Sequence, residues 1–520
     1  MIGAGHNALV AAALLARAGK SVIVLERLSS VGGSVATTEI LPGFRAPQCF
    51  SGVELFHPRL TRTLELEKHG LRLLDARGGS SIAQADGAWL NLGHSEARDL
   101  ASLTATDRDA LVEFERFTTA LTGALAPLQT APLPQLDPDR LAGKLDILRH
   151  ALRLRRLGVR DMGEALRFLP MPIQDVLDER FESDALKAAL AAPALTAAWL
   201  GPRSAGSAWG LLHHRPAWCG GLFLPKRFAA GGPGSLSAAL AASATAHGAK
   251  IRTDARVVSI KVHDGNARGV LLEDGGEIVS RKVISGVDPR TTLLDLVGAQ
   301  WLEPEIVRAV RNLRAHGSVA IVRFALSRRP RFHGAPDSDA HLAGRIQIGS
   351  TLEYMERAFD AAKYGRAPDK PCLELTLPSI VDKSLAPPGK QVMHVWVQYA
   401  ARDLRESDWV GERDRLVATV TGLIDQHAAD FSASIVHADV LTPLDIEQQF
   451  GLTGGCLYHA DLTLDQLLYM RPLPGWYRYR TPIDNLYLCG AGTHPGGGVT
   501  GLPGKNAAFQ VLEDWRSRGD

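Results

Sequence analysis

The sequence predicts an α/β fold wound around a parallel sheet, and two observations carry that reading. The chain opens on a two-residue apolar stub, Met1-Ile2, then the turn Gly3-Ala4-Gly5-His6-Asn7-Ala8, an apolar helix over 9–18, and a strand over 21–25 that ends at Glu26. Near the other end, the apolar run 486–489 enters a glycine-rich loop and then a helix over 505–515. Strand–turn–helix–strand is the unit of a parallel sheet, because parallel neighbours need a crossover. Composition agrees with a folded chain: 520 residues, 45% hydrophobic and 22% charged. That excludes a disordered chain or a multi-span membrane protein. At about 150 residues per unit, the length implies two to four structural units.

The opening turn has the form G-x-G-x-x-A. Gly3 permits the tight turn, Gly5 lets backbone approach a pyrophosphate, and Ala8 keeps helix and strand close, as in a dinucleotide-binding Rossmann-like unit. The helix N-terminus adds free N–H groups and a positive dipole end. Glu26, 21 residues after Gly5, is placed to accept hydrogen bonds from ribose hydroxyls, and its charge disfavours a 2′-phosphate. A strand of two residues before Gly3 is shorter than the usual five or so, so the chain is expected to lack an upstream piece of its first strand.

Val31-Gly32-Gly33-Ser34 supplies a second set of backbone amides for a pyrophosphate, more than an NAD site requires. At the far end, seven glycines between Gly490 and Gly504 leave little side chain in the way of a large flat ligand. The opening GAGHN, the GG doublet and the closing LYLCGAGTHPGGGVTGLPGKNAA resemble the FAD-dependent phytoene desaturase-related oxidoreductases. That group includes carotenoid desaturases, carotenoid ketolases and the pyridine nucleotide-disulfide oxidoreductase domain-containing proteins. Gly231-Gly232-Pro233-Gly234 and Ile284-Ser285-Gly286-Val287-Asp288-Pro289 are similar to it in mid-chain. Ala491 stands where the wider superfamily often has Asp. The five cysteines are scattered with no C-x-x-C pair, so the disulfide chemistry in one branch name has no support.

The resemblance implies a discontinuous FAD-binding domain, made of 1–75, 228–300 and 478–520, with an interleaved α+β substrate domain, helix-rich over 76–227 and continued over 301–477. It implies a helix over 235–247, strands at 257–260 and 269–272, and, in the substrate part, strands over 318–325, 372–377 and 392–399. It also implies noncovalent FAD, with Val257 or Val258 at the adenine and Gly490, Ala491, Gly492, Gly496, Gly497, Gly498 and Val499 around the flavin. The activity implied is desaturation or oxidation of a hydrophobic, isoprenoid-like substrate by hydride transfer to flavin, with oxygen or a quinone receiving the electrons. Ketolase-type oxygenation is the alternative within the family, and a flavin-binding regulatory protein with little turnover is the alternative outside it.

His494, His459 and Lys505 are the candidate catalytic residues: the histidines as hydrogen-bond or proton-handling groups, the lysine as a charge beside reduced flavin. Each has a plain alternative as a packing or surface residue. The segment from Gly454 to His459, with Gln466 and Arg471-Pro472, is similar to a family stretch on the substrate side. Trp199, Trp209, Trp218 and Phe223 could line a hydrophobic tunnel or fill the core. His213-His214 lacks partners at metal-ligand spacing, so no metal is expected.

Lys+Arg 58 against Asp+Glu 56 gives a net charge of +2, too balanced for nucleic-acid binding by bulk charge. Isolated cysteines and the missing leader point to a reducing, cytoplasmic setting. Between 140 and 160 the balance changes: Arg140, Lys144, Arg149, Arg153, Arg155, Arg156 and Arg160 face a single acid, Asp146. Leu141, Leu145, Leu148 and Leu152 recur at helical spacing. Such a basic amphipathic helix can lie on the inner face of an anionic membrane, or bury its leucines and solvate its arginines.

Overall fold

The structure, a computed structural model, describes residues 1–76, 78–93, 100, 102–136 and 141–517. Ile2 stands at the centre of its parallel sheet. It bridges Leu25 on one side and Ser285 on the other, with the Gly3 N–H donating to Leu25 O (2.8 Å) and the Ile2 N–H to Ile284 O (2.9 Å). Outward from it run Ile23–Leu25 and then Lys250–Arg252, and on the other side Val283–Ser285 and then Leu486–Leu488. The beginning, middle and end of the chain thus share one sheet.

Helices cover one face of that sheet. His6–Arg17 packs against both Gly234–Ala246 and Leu502–Ser517. Small residues set the spacing: a methyl group on Gly504 would lie 1.9 Å from the Asn7 carbonyl oxygen. The antiparallel strands Val257–His263, Asn266–Leu272 and Glu277–Val279 cover the other face, with Ile2, Leu25, Ile260, Val283 and Leu486 in one apolar cluster.

The second layer system is a mixed sheet of seven strands, in the order Ile435–Leu441, Val319–Leu326, Gln391–Gln398, Cys372–Thr376, Arg345–Ile348, Ser80–Ala83 and Trp89–Leu92. Only Arg345–Ile348 and Ser80–Ala83 pair in parallel. Val319–Leu326 is buried at every position, as a strand covered on both faces must be. Helices Ala105–Thr130, Asp184–Leu195 and Ala208–His214 build the core on one face, and Trp409–Asp425 packs on the other. Three of the seven were expected, over 318–325, 372–377 and 392–399, and they lie within one residue of the observed Val319–Leu326, Cys372–Thr376 and Gln391–Gln398; the other four were not anticipated.

The basic segment differs from the single helix expected over 140–160. It forms Leu141–Arg155 and Gly158–Phe168, broken where Gly158 takes φ +82, so Arg149, Arg153, Arg156 and Arg160 do not share one continuous stripe. Arg140 lies outside the described residues. The side facing the protein carries Gly143, Asp146, His150 and Leu154, and Leu154 and Leu157 pack on the core.

Candidate active site

A cavity of about 510 Å³ lies beyond the C-terminal ends of the central parallel strands, the place where open α/β sheets bind ligands. Each strand delivers its next residues to the wall: Gly3 after Ile2, Glu26 after Leu25, Gly286 after Ser285 and Gly490 after Leu488. Gly5 caps the first helix without a side chain, leaving the first-turn N–H groups to an anionic ligand. A Cβ on Gly5 or Gly33 would meet nothing within 4 Å, because both face this space. Gly32 has φ +112, and a Cβ there would lie 2.9 Å from Ser237 Oγ, so both dihedral and packing require glycine.

Glu26 is buried and already employed. Its carboxylate accepts the N–H of Ala4 (2.7 Å) and of Leu28 (2.9 Å), fixing the glycine turn against the strand end. Carboxylate oxygens accept more than one hydrogen bond, so both retain capacity for ribose hydroxyls.

At the other end of the cavity stand His459, Gly490, Ala491, Gly498 and Phe50. His459 is held at φ +62, and burial, reinforced by Arg471, lowers its pKa to about 4. The ring is neutral at physiological pH. Arg471 is the brace of this wall. Fully buried, it donates to the carbonyls of Tyr458 (2.7 Å), Ala460 (3.3 Å), Asp461 (3.1 Å), Gln466 (3.1 Å) and Ala491 (2.8 Å), tying the loop that carries His459 to the strand end opposite.

Of the residues the sequence proposed for cofactor binding, Gly3, Gly5, Ala8, Glu26, Gly32, Gly33, Val257, Val258, Gly490, Ala491 and Gly498 line the cavity, and His459 lines it too. Gly492, Gly496 and Gly497 lie behind its wall, where a Cβ would strike Pro289, Leu462 and Tyr458 respectively. Val499 faces a second chamber. His494 and Lys505 do not face the cavity. The His494 ring bonds the Leu128 carbonyl, with its pKa lowered to about 4 by burial, and Lys505 Nζ donates to Thr130 O (2.8 Å). The glycine loop turns backbone toward the cavity, and these two side chains run the other way, onto Ala105–Thr130. Arg27, Ser34, Phe50, Arg256, Thr291 and Asp295 also line the cavity; Ser34 belongs to the glycine-doublet motif, Thr291 and Asp295 to the helix Thr291–Gly298, and the sequence singled out none of the six as a site residue.

The second chamber, about 50 Å³, meets the first at Phe50 and Gly498. Its walls are charged: Glu54, Arg215, Lys226, Arg345 and Glu374. Lys226 Nζ lies 3.2 Å from Glu54 and 3.3 Å from Glu374, and Arg345 Nε 2.9 Å from Glu374. Glu374 is held down at about 2, because Arg345 and Lys226 together outweigh the desolvation of its carboxylate. Beyond Thr196, Glu374 and Trp396 a third, apolar pocket of about 40 Å³ opens among Leu195, Met355, Leu373 and Tyr399. Trp199, Trp209, Trp218 and Phe223 line none of these three spaces. Trp209 and Phe223 are core residues, and Trp199 stacks on His316. His213 bonds the Gly497 carbonyl (3.0 Å) and His214 the Tyr458 hydroxyl (2.9 Å). Among the described residues no group of His, Cys, Asp and Glu could hold a metal.

Three buried polar atoms on cavity-lining residues have no hydrogen-bond partner: His6 Nε2, Asn7 Oδ1 and His459 Nδ1. Buried polar atoms are normally satisfied, so the cavity fits a long ligand that carries hydrogen-bonding groups at both the helix end and the His459 end. Such a cradle on a discontinuous parallel sheet defines a dinucleotide-binding protein.

The chain belongs to the flavin containing amine oxidoreductase family, whose signature matches residues 9–511. FAD is its cofactor, and the residues above fit it. The chain is 36% identical to pyridine nucleotide-disulfide oxidoreductase domain-containing protein 2 of Rattus norvegicus, over 99% of this chain and 93% of that protein. It is 26% identical to one of the subunits of the limonene dehydrogenase of Castellaniella defragrans, over 99% and 94% of the two chains. Its fold is similar to that of putrescine oxidase bound to putrescine, with a TM-score of 0.62 at 16% identity, over 99% and 98% of the chains.

Proposed function

We propose that the protein is an FAD-dependent dehydrogenase that oxidises a C–H bond in a substrate with an apolar body. The observation that carries this is the pair Phe50 and Gly498, which line both the cofactor cavity and the adjoining charged chamber. FAD, when bound, would supply a two-electron acceptor for hydride. The chain holds the pyrophosphate on Gly3, Gly5, Gly32 and Gly33, and Glu26 takes the ribose. Neutral His459 offers its unpartnered ring nitrogen to the cofactor as a hydrogen bond rather than as a charge. The apolar pocket past Trp396, and a full-length relative named for a terpene, support a hydrophobic substrate body.

Purified protein should carry FAD that denaturation releases, as noncovalent binding requires. Anaerobic mixing with a panel of terpenes and lipid acids should bleach it with at least one of them. Air and a soluble quinone, supplied separately, then identify the electron acceptor. Protein that neither contains nor takes up FAD, or flavin that no panel member bleaches, refutes the reading.

A specific observation favours docking on an anionic membrane. At 100° per residue, Leu145, Leu148 and Leu152 fall opposite the side on which Leu154 packs. They are exposed at 45%, 54% and 45%, so they are not buried against the domain. Lys144 and Arg155 flank them on one side, Arg149 and Arg153 on the other. Apolar residues at the solvent pole between two rows of cations match a bilayer surface with anionic headgroups. Among the described residues no helix is long and apolar enough to cross a membrane. The protein should pellet with anionic liposomes at low salt and be released at high salt. Pelleting that survives the triple exchange of Leu145, Leu148 and Leu152 to Ser, or no pelleting of the wild type, removes the proposal.

A further inference from the structure

The charged chamber beside Gly498 is not electrically balanced by its own walls. Lys226 and Arg345 each lie within 4 Å of both Glu54 and Glu374, so two cations and two carboxylates form a closed, mutually neutralising set. Arg215 is the fifth charge. It is 5% exposed, and its hydrogen bonds run from Nε to Leu222 O and from Nη1 to His214 O (2.8 Å). Those carbonyls fix the plane of the guanidinium but carry no charge. Among the described residues no carboxylate lies within ion-pair distance of it, and its second terminal nitrogen, Nη2, has no bond. The other titratable groups on the wall, His214 and Tyr458, are both kept neutral: burial lowers the imidazole far below its ordinary value and raises the phenol. The chamber therefore holds an excess of one buried positive charge, a costly arrangement unless a ligand completes it.

We infer that Arg215 is the docking site for an acidic group of the substrate, a carboxylate in the first instance, presented next to the flavin end of the cofactor cavity. This rests on reading the chamber as the substrate site. A carboxylate accepts from guanidinium in the geometry Arg favours, and about 50 Å³ admits a headgroup rather than a whole molecule. The apolar remainder would continue past Thr196 and Trp396 into the pocket formed by Leu195, Met355 and Leu373. The substrate class is thus an acid with an apolar body, oxidised near its acidic end, and a pure hydrocarbon is disfavoured because it would leave the charge uncompensated. Burial, reinforced by the neighbouring Arg345 cation and only partly offset by Glu54 and Glu374, pulls the Arg215 pKa down to about 9.

The test uses the FAD-loaded protein in chloride-free buffer, with acetate as the probe and acetamide as its neutral isostere. Acetate should bind saturably by calorimetry, perturb the flavin absorbance and raise the melting temperature, whereas acetamide should do none of these. Arg215→Met should weaken acetate at least about tenfold, as expected for the loss of one charged hydrogen bond, and Arg215→Lys should restore part of it. Should Arg215→Met fail to fold, the comparison of acetate with acetamide on the wild type still decides. Equal response to the two probes, or acetate binding untouched in a folded Arg215→Met variant, overturns the inference. Flavin content is read on the same samples, and calorimetry and melting need no turnover. A chain that binds acetate but lacks FAD would therefore sink the dehydrogenase reading, and one that binds FAD but not acetate would sink this one.

Discussion

Arg471→Met is the perturbation whose size follows most directly from the structure. The guanidinium reaches five backbone carbonyls, two of them at 2.7 and 2.8 Å, with no exposure to solvent. Hydrogen bonds from a charged donor contribute about 1.5–3 kcal/mol each. Counting only the two short ones gives a loss of about 3–6 kcal/mol. Burial opposes the charge, lowering the Arg471 pKa to about 10, so removing the cation recovers part of that. The lower half of the range, about 3–4 kcal/mol, is the expected outcome. That is a large share of a typical folding stability of about 5–15 kcal/mol. The carbonyls released belong to the loop carrying His459 and to Ala491, both on the cofactor wall, so flavin retention should fall together with stability. Arg471→Lys keeps the charge but has three donors for five acceptors, and should lose roughly half as much. Urea unfolding followed by tryptophan fluorescence, with flavin absorbance recorded in parallel, measures both. A methionine variant within about 1 kcal/mol of the wild type and full of flavin would refute the bracing argument.

Glu26→Ala removes an acceptor shared by two backbone amides and the ribose. FAD affinity should weaken by about 10- to 150-fold, from about 1.5–3 kcal/mol, with Glu26→Gln milder; unchanged affinity by titration of the apoprotein would remove Glu26 from the site. Burial holds His6, His213, His459 and His494 at about 4 and His394 at about 3. The folded protein therefore refuses protons that the unfolded chain accepts near 6.5. The unfolded state binds more protons, so stability rises with pH: it is fully present above about 6.5 and lost as pH falls from there toward about 4, at up to about 1.4 kcal/mol per histidine per pH unit. A urea midpoint that stays flat between pH 7.5 and 5 would contradict this.

The nucleotide cradle was legible in the sequence because its determinants are local. A glycine needed for a positive φ, a helix start and a strand end lie within a few residues of one another, so Gly3, Gly5, Glu26 and Gly32 carry their meaning wherever the chain folds. Of the second sheet, three of the seven strands were anticipated, over 318–325, 372–377 and 392–399, and the other four were not. The direction in which a side chain leaves a loop was not: His494 and Lys505 sit in the right motif, yet packing against Ala105–Thr130 turns them away from the cavity. Nor could periodicity say which face of the basic helix meets the protein, since the leucines and Leu154 are equally apolar and only the docking angle chooses between them. The charged chamber was invisible for a deeper reason. Glu54, Arg215, Lys226, Arg345 and Glu374 come from distant segments with no shared period, and an isolated charge in a sequence is indistinguishable from a solvated one. Tertiary structure alone removes the water, brings five charges together and leaves one of them, Arg215, without a carboxylate at ion-pair distance.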